Sequence, residues 1–357
     1  MTPLPLPDGI AQRRVAGVNG LDMHILEAGE THRPLLLLLH GFPEIAYSWR
    51  RVMQPLAEAG YWVVAPDQRG YGRTTGADMS FGADLAAYRP LALAHDALCL
   101  LRVLGREHCL LAGHDFGAVV AAHAALWRPD VFRRVALMSA PFPGPPTPGT
   151  RAPDLDAALG ARGLEHYQWH YATARAEAGM LGAPCGLPAF LRAYFHMKGG
   201  AWHANTPQPL RDGSASELAR LPRYYVMRRG ETMADAVAAA LDAPPDAWLP
   251  EPELAVYAAE YARTGFQGGL NWYAARISGR FAADAAMFHE RRIEAPCCFI
   301  AGARDWGIHQ SPGALERMPD ACAEWRGAHL LPGAGHWVQQ EAPREVAGLL
   351  VEFVGAS

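Results

Sequence analysis

Short, unbroken apolar runs punctuate this chain, and nearly all of them stop at a glycine or a proline. Leu35–Leu39 stops at His40-Gly41, Tyr61–Ala65 at Pro66-Asp67, Cys109–Ala112 at Gly113, and Val135–Ser139 just before Pro141. Toward the other end, Cys297–Ala301 meets Gly302 and His329–Leu331 meets Pro332-Gly333. Runs this short, with no polar alternation, predict strands buried on both faces. Helix-like segments separate them, so the pattern predicts an α/β domain with a mostly parallel central sheet and helices on both sides. In such sheets chemistry gathers in the loops beyond the carboxyl ends of the strands.

The middle of the chain follows a different rhythm. From Pro141 to Phe281 no buried-strand run is visible. The stretch Pro141-Phe142-Pro143-Gly144-Pro145-Pro146-Thr147-Pro148-Gly149 reads as a linker. Ala-rich and aromatic segments with helical spacing follow it, such as Ala234–Leu241 and Glu253–Ala262. The expected organisation is an α/β core in two parts, 1–140 and 286–357, with a helical cap, 141–285, inserted between them.

Composition narrows the function. Of 357 residues, 50% are hydrophobic and 19% charged, with a formal net charge of −4. A nucleic-acid partner needs a concentrated basic surface that this balance does not supply, and the pairs Arg133-Arg134 and Arg291-Arg292 read as solvated. Six cysteines without a CxxC pair give neither a disulfide framework nor a zinc site. Met1–Ile10 has no basic start or apolar stretch of a leader, and Leu35–Leu39 is far too short to span a bilayer. A soluble, cytoplasmic protein without a membrane partner is the expectation.

The chemistry sits at the strand ends. Gly113-His114-Asp115-Phe116-Gly117 follows one apolar run and precedes Ala118-Val119-Val120-Ala121-Ala122. This is a G-x-nucleophile-x-G elbow with Asp where esterases place Ser. The competing reading is an ordinary helix N-cap aspartate. His40-Gly41-Phe42-Pro43-Glu44 follows the first run, where it is either a simple turn or a loop supplying an oxyanion N–H. On the second reading the donors are the N–H groups of Phe42 and Phe116. Asp305, after Gly302-Ala303-Arg304, and His336, inside Gly333-Ala334-Gly335-His336-Trp337, complete the order nucleophile–acid–histidine.

An aspartate nucleophile selects its reaction. A carboxylate with an ordinary pKa near ~3.9 is ionised at neutral pH and needs no base to activate it. At a saturated carbon it forms an alkyl ester. Water activated by His336, oriented by Asp305, can then attack the ester carbonyl while the two N–H groups hold the oxyanion. A serine would leave an ether that water cannot cleave. The expected substrates are therefore alkylating agents, either epoxides or alkyl halides, with no cofactor and no metal. An opened epoxide needs a proton, which a phenol can give; a halide needs only N–H donors.

At these residues the chain resembles the epoxide hydrolase family, of the soluble type, within the α/β-hydrolase superfamily. His40-Gly41-Phe42-Pro43-Glu44 with Tyr47-Ser48-Trp49-Arg50, Ala65-Pro66-Asp67-Gln68-Arg69-Gly70-Tyr71-Gly72, and the elbow all match its pattern. Thr264-Gly265-Phe266-Gln267-Gly268-Gly269-Leu270-Asn271-Trp272-Tyr273 is similar to the family segment whose last tyrosine hydrogen-bonds the epoxide oxygen. His166-Tyr167-Gln168 falls where the family places its other cap tyrosine, with Tyr171 as the alternative. The resemblance covers residue 20 to the carboxyl terminus, weakest over 180–262. It implies an α/β-hydrolase fold, Tyr167 and Tyr273 as acids, and a pocket that includes His40, Pro43, His114, Trp272 and Trp337. Its implied partners are a hydrophobic epoxide and water. The chain departs from the family at Phe116, where Trp is frequent. Phenylalanine cannot donate to a halide, which weighs against the alternative, a haloalkane or haloacid dehalogenase using Trp272 or Trp169. A third alternative is an idle hydrolase-fold protein used for binding.

Overall fold

A computed structural model describes residues 2–149 and 154–355. Ten strands are present among them: β1 Ile10–Val18, β2 Leu21–Ala28, β3 Leu35–Leu39, β4 Trp62–Pro66, β5 Cys109–His114, β6 Phe132–Met138, β7 Leu164–His166, β8 Val226–Arg228, β9 Cys297–Gly302 and β10 Trp325–Leu331. Eight of these form one sheet in the order β1-β2-β4-β3-β5-β6-β9-β10. From β4 through to β10 neighbouring strands are parallel, and β2 alone runs against the sheet, antiparallel to both β1 and β4. Helices cover both faces, which is the α/β-hydrolase fold.

The apolar runs land where their character demands. Every residue of β3, β4 and β9 is buried, as expected of strands sandwiched between helical layers. The edges look different. In β10 intermediate and exposed residues alternate, so this strand extends back to Trp325 through positions that no continuous apolar run marks. The hairpin β1–β2 is likewise absent from the apolar-run pattern, because β1 is half-solvated. Its signal is the dipeptide Asn19-Gly20, both residues at positive φ (49° and 79°), the geometry of a two-residue hairpin turn.

Between β6 and β9 the chain is mainly helical, and residues 150–153 of this segment lie outside the described residues. The sequence pattern leaves no strand here, yet β7 and β8 pair antiparallel. Each has three residues, too few to leave a periodic trace. The segment is bound to the sheet domain by ion pairs: buried Arg73 meets Glu260 at 2.8 Å, and Arg50 and Arg51 both engage the half-buried Glu253. Trp272 Nε1–H donates to the Arg69 carbonyl at 3.0 Å. No helix among the described residues is long and apolar enough to cross a membrane.

Candidate active site

The elbow is built from contact, not only from sequence. Asp115 joins β5 to the helix Phe116–Trp127 with φ 52° and ψ −118°, a left-handed conformation that costs a non-glycine residue on the order of 1–3 kcal/mol. A Cβ on Gly113 would lie 2.2 Å from the Gly117 carbonyl oxygen, and one on Gly117 would lie 2.2 Å from that of Leu39. Only glycine fits at either place. The Asp115 N–H donates to Met138 O of the neighbouring strand at 3.0 Å, which fixes the turn. The side chain does not cap its helix, so the N-cap reading fails. Instead Oδ1 accepts from the Phe42 N–H at 3.1 Å, which makes the His40–Glu44 loop more than a turn.

Asp305, just past β9, and His336, just past β10, converge on this carboxylate. His336 Nδ1 lies 3.0 Å from Asp305 Oδ2, and Asp305 Oδ1 accepts from the Gly307 N–H at 2.6 Å. His336 Nε2 stands 3.5 Å from Asp115 Oδ2, longer than an ordinary hydrogen bond. The loop is held from behind: the His336 N–H donates to Lys198 O at 2.9 Å, and its carbonyl accepts from His114 Nε2 at 2.7 Å and Ser139 Oγ at 3.1 Å. Behind His114 in turn lies Glu44, 2.7 Å from Nδ1, whose other oxygen accepts from the amides of Gln339 and Gln340. His114 therefore buttresses the histidine loop and does not face the cleft.

Charge in this cluster is tightly balanced. Burial would raise the Asp115 pKa, but contact with His336 and the charges of His336 and Lys198 hold it well below the ordinary carboxylate range. For His336, burial and Lys198 push down while Asp305 and Asp115 push up, and the carboxylates prevail, lifting it to about 9. Lys198, which no motif marks, is fully enclosed here. Its ammonium lies 5.0 Å, 5.2 Å and 5.3 Å from the ring centroids of Tyr225, Trp337 and Tyr194.

A cleft of about 570 Å³, measured out to its open mouth, leads to Asp115 past Phe116, Val119, Tyr167, Gln168 and Arg276. Tyr167 is on its wall; its hydroxyl accepts from Gln168 Nε2 at 3.1 Å. Tyr171 is not on the wall and donates to the Tyr194 hydroxyl at 3.3 Å, so of the two alternatives Tyr167 is the one that faces the cleft. Tyr273 is buried on the helix Gln267–Ile277, its ring 5.7 Å from Tyr167 and 4.7 Å from Phe116. Burial, and the nearby Asp115 charge, raise both phenols above their ordinary pKa, so both are protonated at neutral pH.

The other residues expected in the pocket stand behind it. Pro43 and His40 are buried beneath the wall, with the His40 ring between Gly41 O and the Gln68 N–H. The Trp337 N–H is committed to Phe195 O at 2.8 Å, as that of Trp272 is to Arg69 O. Backbone carbonyls in the core satisfy these indoles, which turns them away from the cleft. With Trp272 committed and Trp169 off the wall, neither indole proposed for a halide is in place. Among the described residues no group of three His, Cys, Asp or Glu could hold a metal.

Comparison with known proteins gives a consistent result. A family model described as alpha/beta hydrolase fold matches residues 34–165. The chain is 36% identical over 354 residues to epoxide hydrolase A of Mycobacterium tuberculosis, covering 97% of this chain and 98% of that one. It is 32% identical over 346 residues to an epoxide hydrolase of Caballeronia sordidicola, covering 97% and 94%. Among solved structures, an epoxide hydrolase from an endophytic Streptomyces superposes with TM-score 0.82 at 34% identity, covering 98% and 96%. Potato epoxide hydrolase I superposes with TM-score 0.75 at 30% identity, covering 97% and 99%.

Proposed function

Because this chain belongs to the epoxide hydrolases of the α/β-hydrolase fold, we propose that it converts a hydrophobic epoxide to a vicinal diol through an ester on Asp115. The observation that carries this mechanism is the opposition across one cleft: an ionised carboxylate at its floor and the protonated Tyr167 phenol on its wall, with the Tyr273 ring 5.7 Å from that of Tyr167. In the first step Asp115 Oδ2 attacks an epoxide carbon and the C–O bond breaks. The departing alkoxide takes a proton from Tyr167 or Tyr273. In the second step His336 Nε2 accepts a proton from water, and the hydroxide attacks Asp115 Cγ. The N–H groups of Phe42 and Phe116 hold the oxyanion; Phe42 already donates to this carboxylate, and Phe116 opens a helix whose first N–H groups lack intrahelical partners. Collapse releases the diol, whose second alkoxide takes the proton back from His336, and the proton left on the Asp115 carboxyl passes to the tyrosinate, restoring both groups. The 141–285 segment acts as the cap that brings both phenols to the elbow.

The experiment is a single turnover of excess enzyme with styrene oxide in ¹⁸O-water. The first diol comes out unlabelled, because its new oxygen originates on Asp115, and the label is retained in the carboxylate. Label in that first diol would falsify the covalent route.

The phenols are separable from the nucleophile. Tyr273→Phe slows ring opening by about 10²-fold, the usual scale of general acid assistance, and leaves breakdown of a preformed ester near its wild-type rate. Rapid-quench measurement of the two steps checks this. Unchanged ring opening removes Tyr273 from the mechanism and leaves Tyr167 as the acid.

A further inference from the structure

Lys198 is the only lysine in a chain of 357 residues; every other strong base is arginine. It ends the helix Leu187–Lys198 and is 3% exposed. A lysine usually extends its ammonium to water, and an isolated buried charge is expensive. Here no carboxylate lies within ion-pair distance of the ammonium among the described residues. Three aromatic faces, those of Tyr194, Tyr225 and Trp337, receive it, and cation–π attraction offsets part of the desolvation. A compact ammonium suits this cage better than the wider planar guanidinium used everywhere else in the chain. The ammonium is within electrostatic reach of the reacting groups: burial lowers its own pKa while the charges of Asp115, Asp305 and Glu44 favour its protonated form, and its charge acts in turn on His336. Its own carbonyl also holds the His336 N–H at 2.9 Å.

That placement answers a difficulty in the second half-reaction. Asp305 orients His336, but its charge also favours the protonated ring, and a protonated His336 cannot accept a proton from water. In the ester the Asp115 charge is gone, so the charged and titratable groups that still face His336 are Asp305, Lys198, the His114 ring at 5.1 Å and, behind it, the Glu44 carboxylate, beside the uncharged Ser139 and Trp337. We propose that Lys198 is a positioning residue for ester hydrolysis: its ammonium, held in the aromatic cage, counters Asp305 and keeps His336 available as the base. The inference rests on the ester mechanism above and adds a residue that the mechanism itself does not require.

The test is the pH profile of ester hydrolysis in full-length Lys198→Met and Lys198→Arg, from single-turnover decay of the intermediate formed with styrene oxide. In Lys198→Met the midpoint moves to higher pH by roughly one to two units, the scale of a unit charge at close range in a protein interior. Hydrolysis at pH 7 is then slowed roughly 10- to 100-fold and recovers at alkaline pH. Lys198→Arg, with its charge kept, stays nearer the wild-type midpoint. A rate lowered equally at every pH, or an unmoved midpoint, overturns the proposal and leaves Lys198 as packing. Absence of any ester intermediate in the wild type overturns instead the mechanism on which it rests.

Discussion

Asp115→Ala lowers epoxide turnover by at least about 10⁴-fold, the scale on which hydrolases lose rate when a nucleophile or its activating machinery is deleted. Phe42 N–H, the phenols and the His336–Asp305 pair all remain, so the residual rate reports what they do for direct hydration. No intermediate forms, because alanine has no atom to alkylate. The substitution is tolerable to the fold. The turn is held by the Asp115 backbone N–H on Met138 O and by the packing of Gly113 and Gly117, none of which involves the carboxylate. The positive φ of 52° stays, so the strain is neither relieved nor worsened by much, and removal of a buried charge offsets the loss of the His336 contact. Steady-state rates with styrene oxide, paired with a thermal midpoint, check both halves. A folded Asp115→Ala that turns over at the wild-type rate sinks the nucleophile assignment and favours a protein that merely carries the hydrolase fold.

Which parts of this arrangement could be read in advance follows from physics. Asp115, Asp305 and His336 each end a strand, and strand ends announce themselves by an abrupt passage from apolar run to glycine. That local signal needs no knowledge of the rest of the chain. The pocket expectation for Trp272, Trp337, His40 and His114 came with the family resemblance and the motifs that carry it. A motif marks a stretch of chain and not which of its side chains face the cleft, and these four use their polar atoms on the core side. Glu44 lay in a recognised motif, yet its partners Gln339 and Gln340 are nearly the whole chain away, so its buttressing role is a tertiary fact. Lys198 left no periodic trace at all. Its one available signal was rarity, since a chain that uses arginine everywhere else has kept a single ammonium. The edge strand β1 was hidden for the opposite reason, and of β10 only the end His329–Leu331 was legible: half-solvated strands alternate, and the apolar runs that mark the buried centre do not cover them.

His336→Gln separates the two half-reactions more sharply than any other change. Asp115 does not depend on His336 for nucleophilicity; the charge of Lys198 and the Phe42 N–H still favour its ionised form. Ring opening therefore continues, while glutamine cannot accept a proton from water. The ester accumulates, and the protein gains the full mass of one epoxide on the peptide that contains Asp115, with overall turnover down by about 10³-fold or more. The wild type supplies the matching pH signature. In the free enzyme His336 holds its proton up to about 9, raised by Asp305 and Asp115 against burial and Lys198. Alkylation neutralises Asp115 and removes one of the raising influences, so the His336 midpoint in the ester falls below 9. A base works only when deprotonated, so ester hydrolysis rises with pH through that lower midpoint. Ring opening stays flat across pH 6 to ~8, where Asp115 is ionised and the phenols protonated. In His336→Gln the rise disappears, because the group that titrated is gone. An ester that decays at the wild-type rate in this variant, or a wild-type hydrolysis step indifferent to pH, means that another group activates the water. The 3.5 Å between Nε2 and Oδ2 argues against that: it places the histidine beside the carbonyl that water must attack.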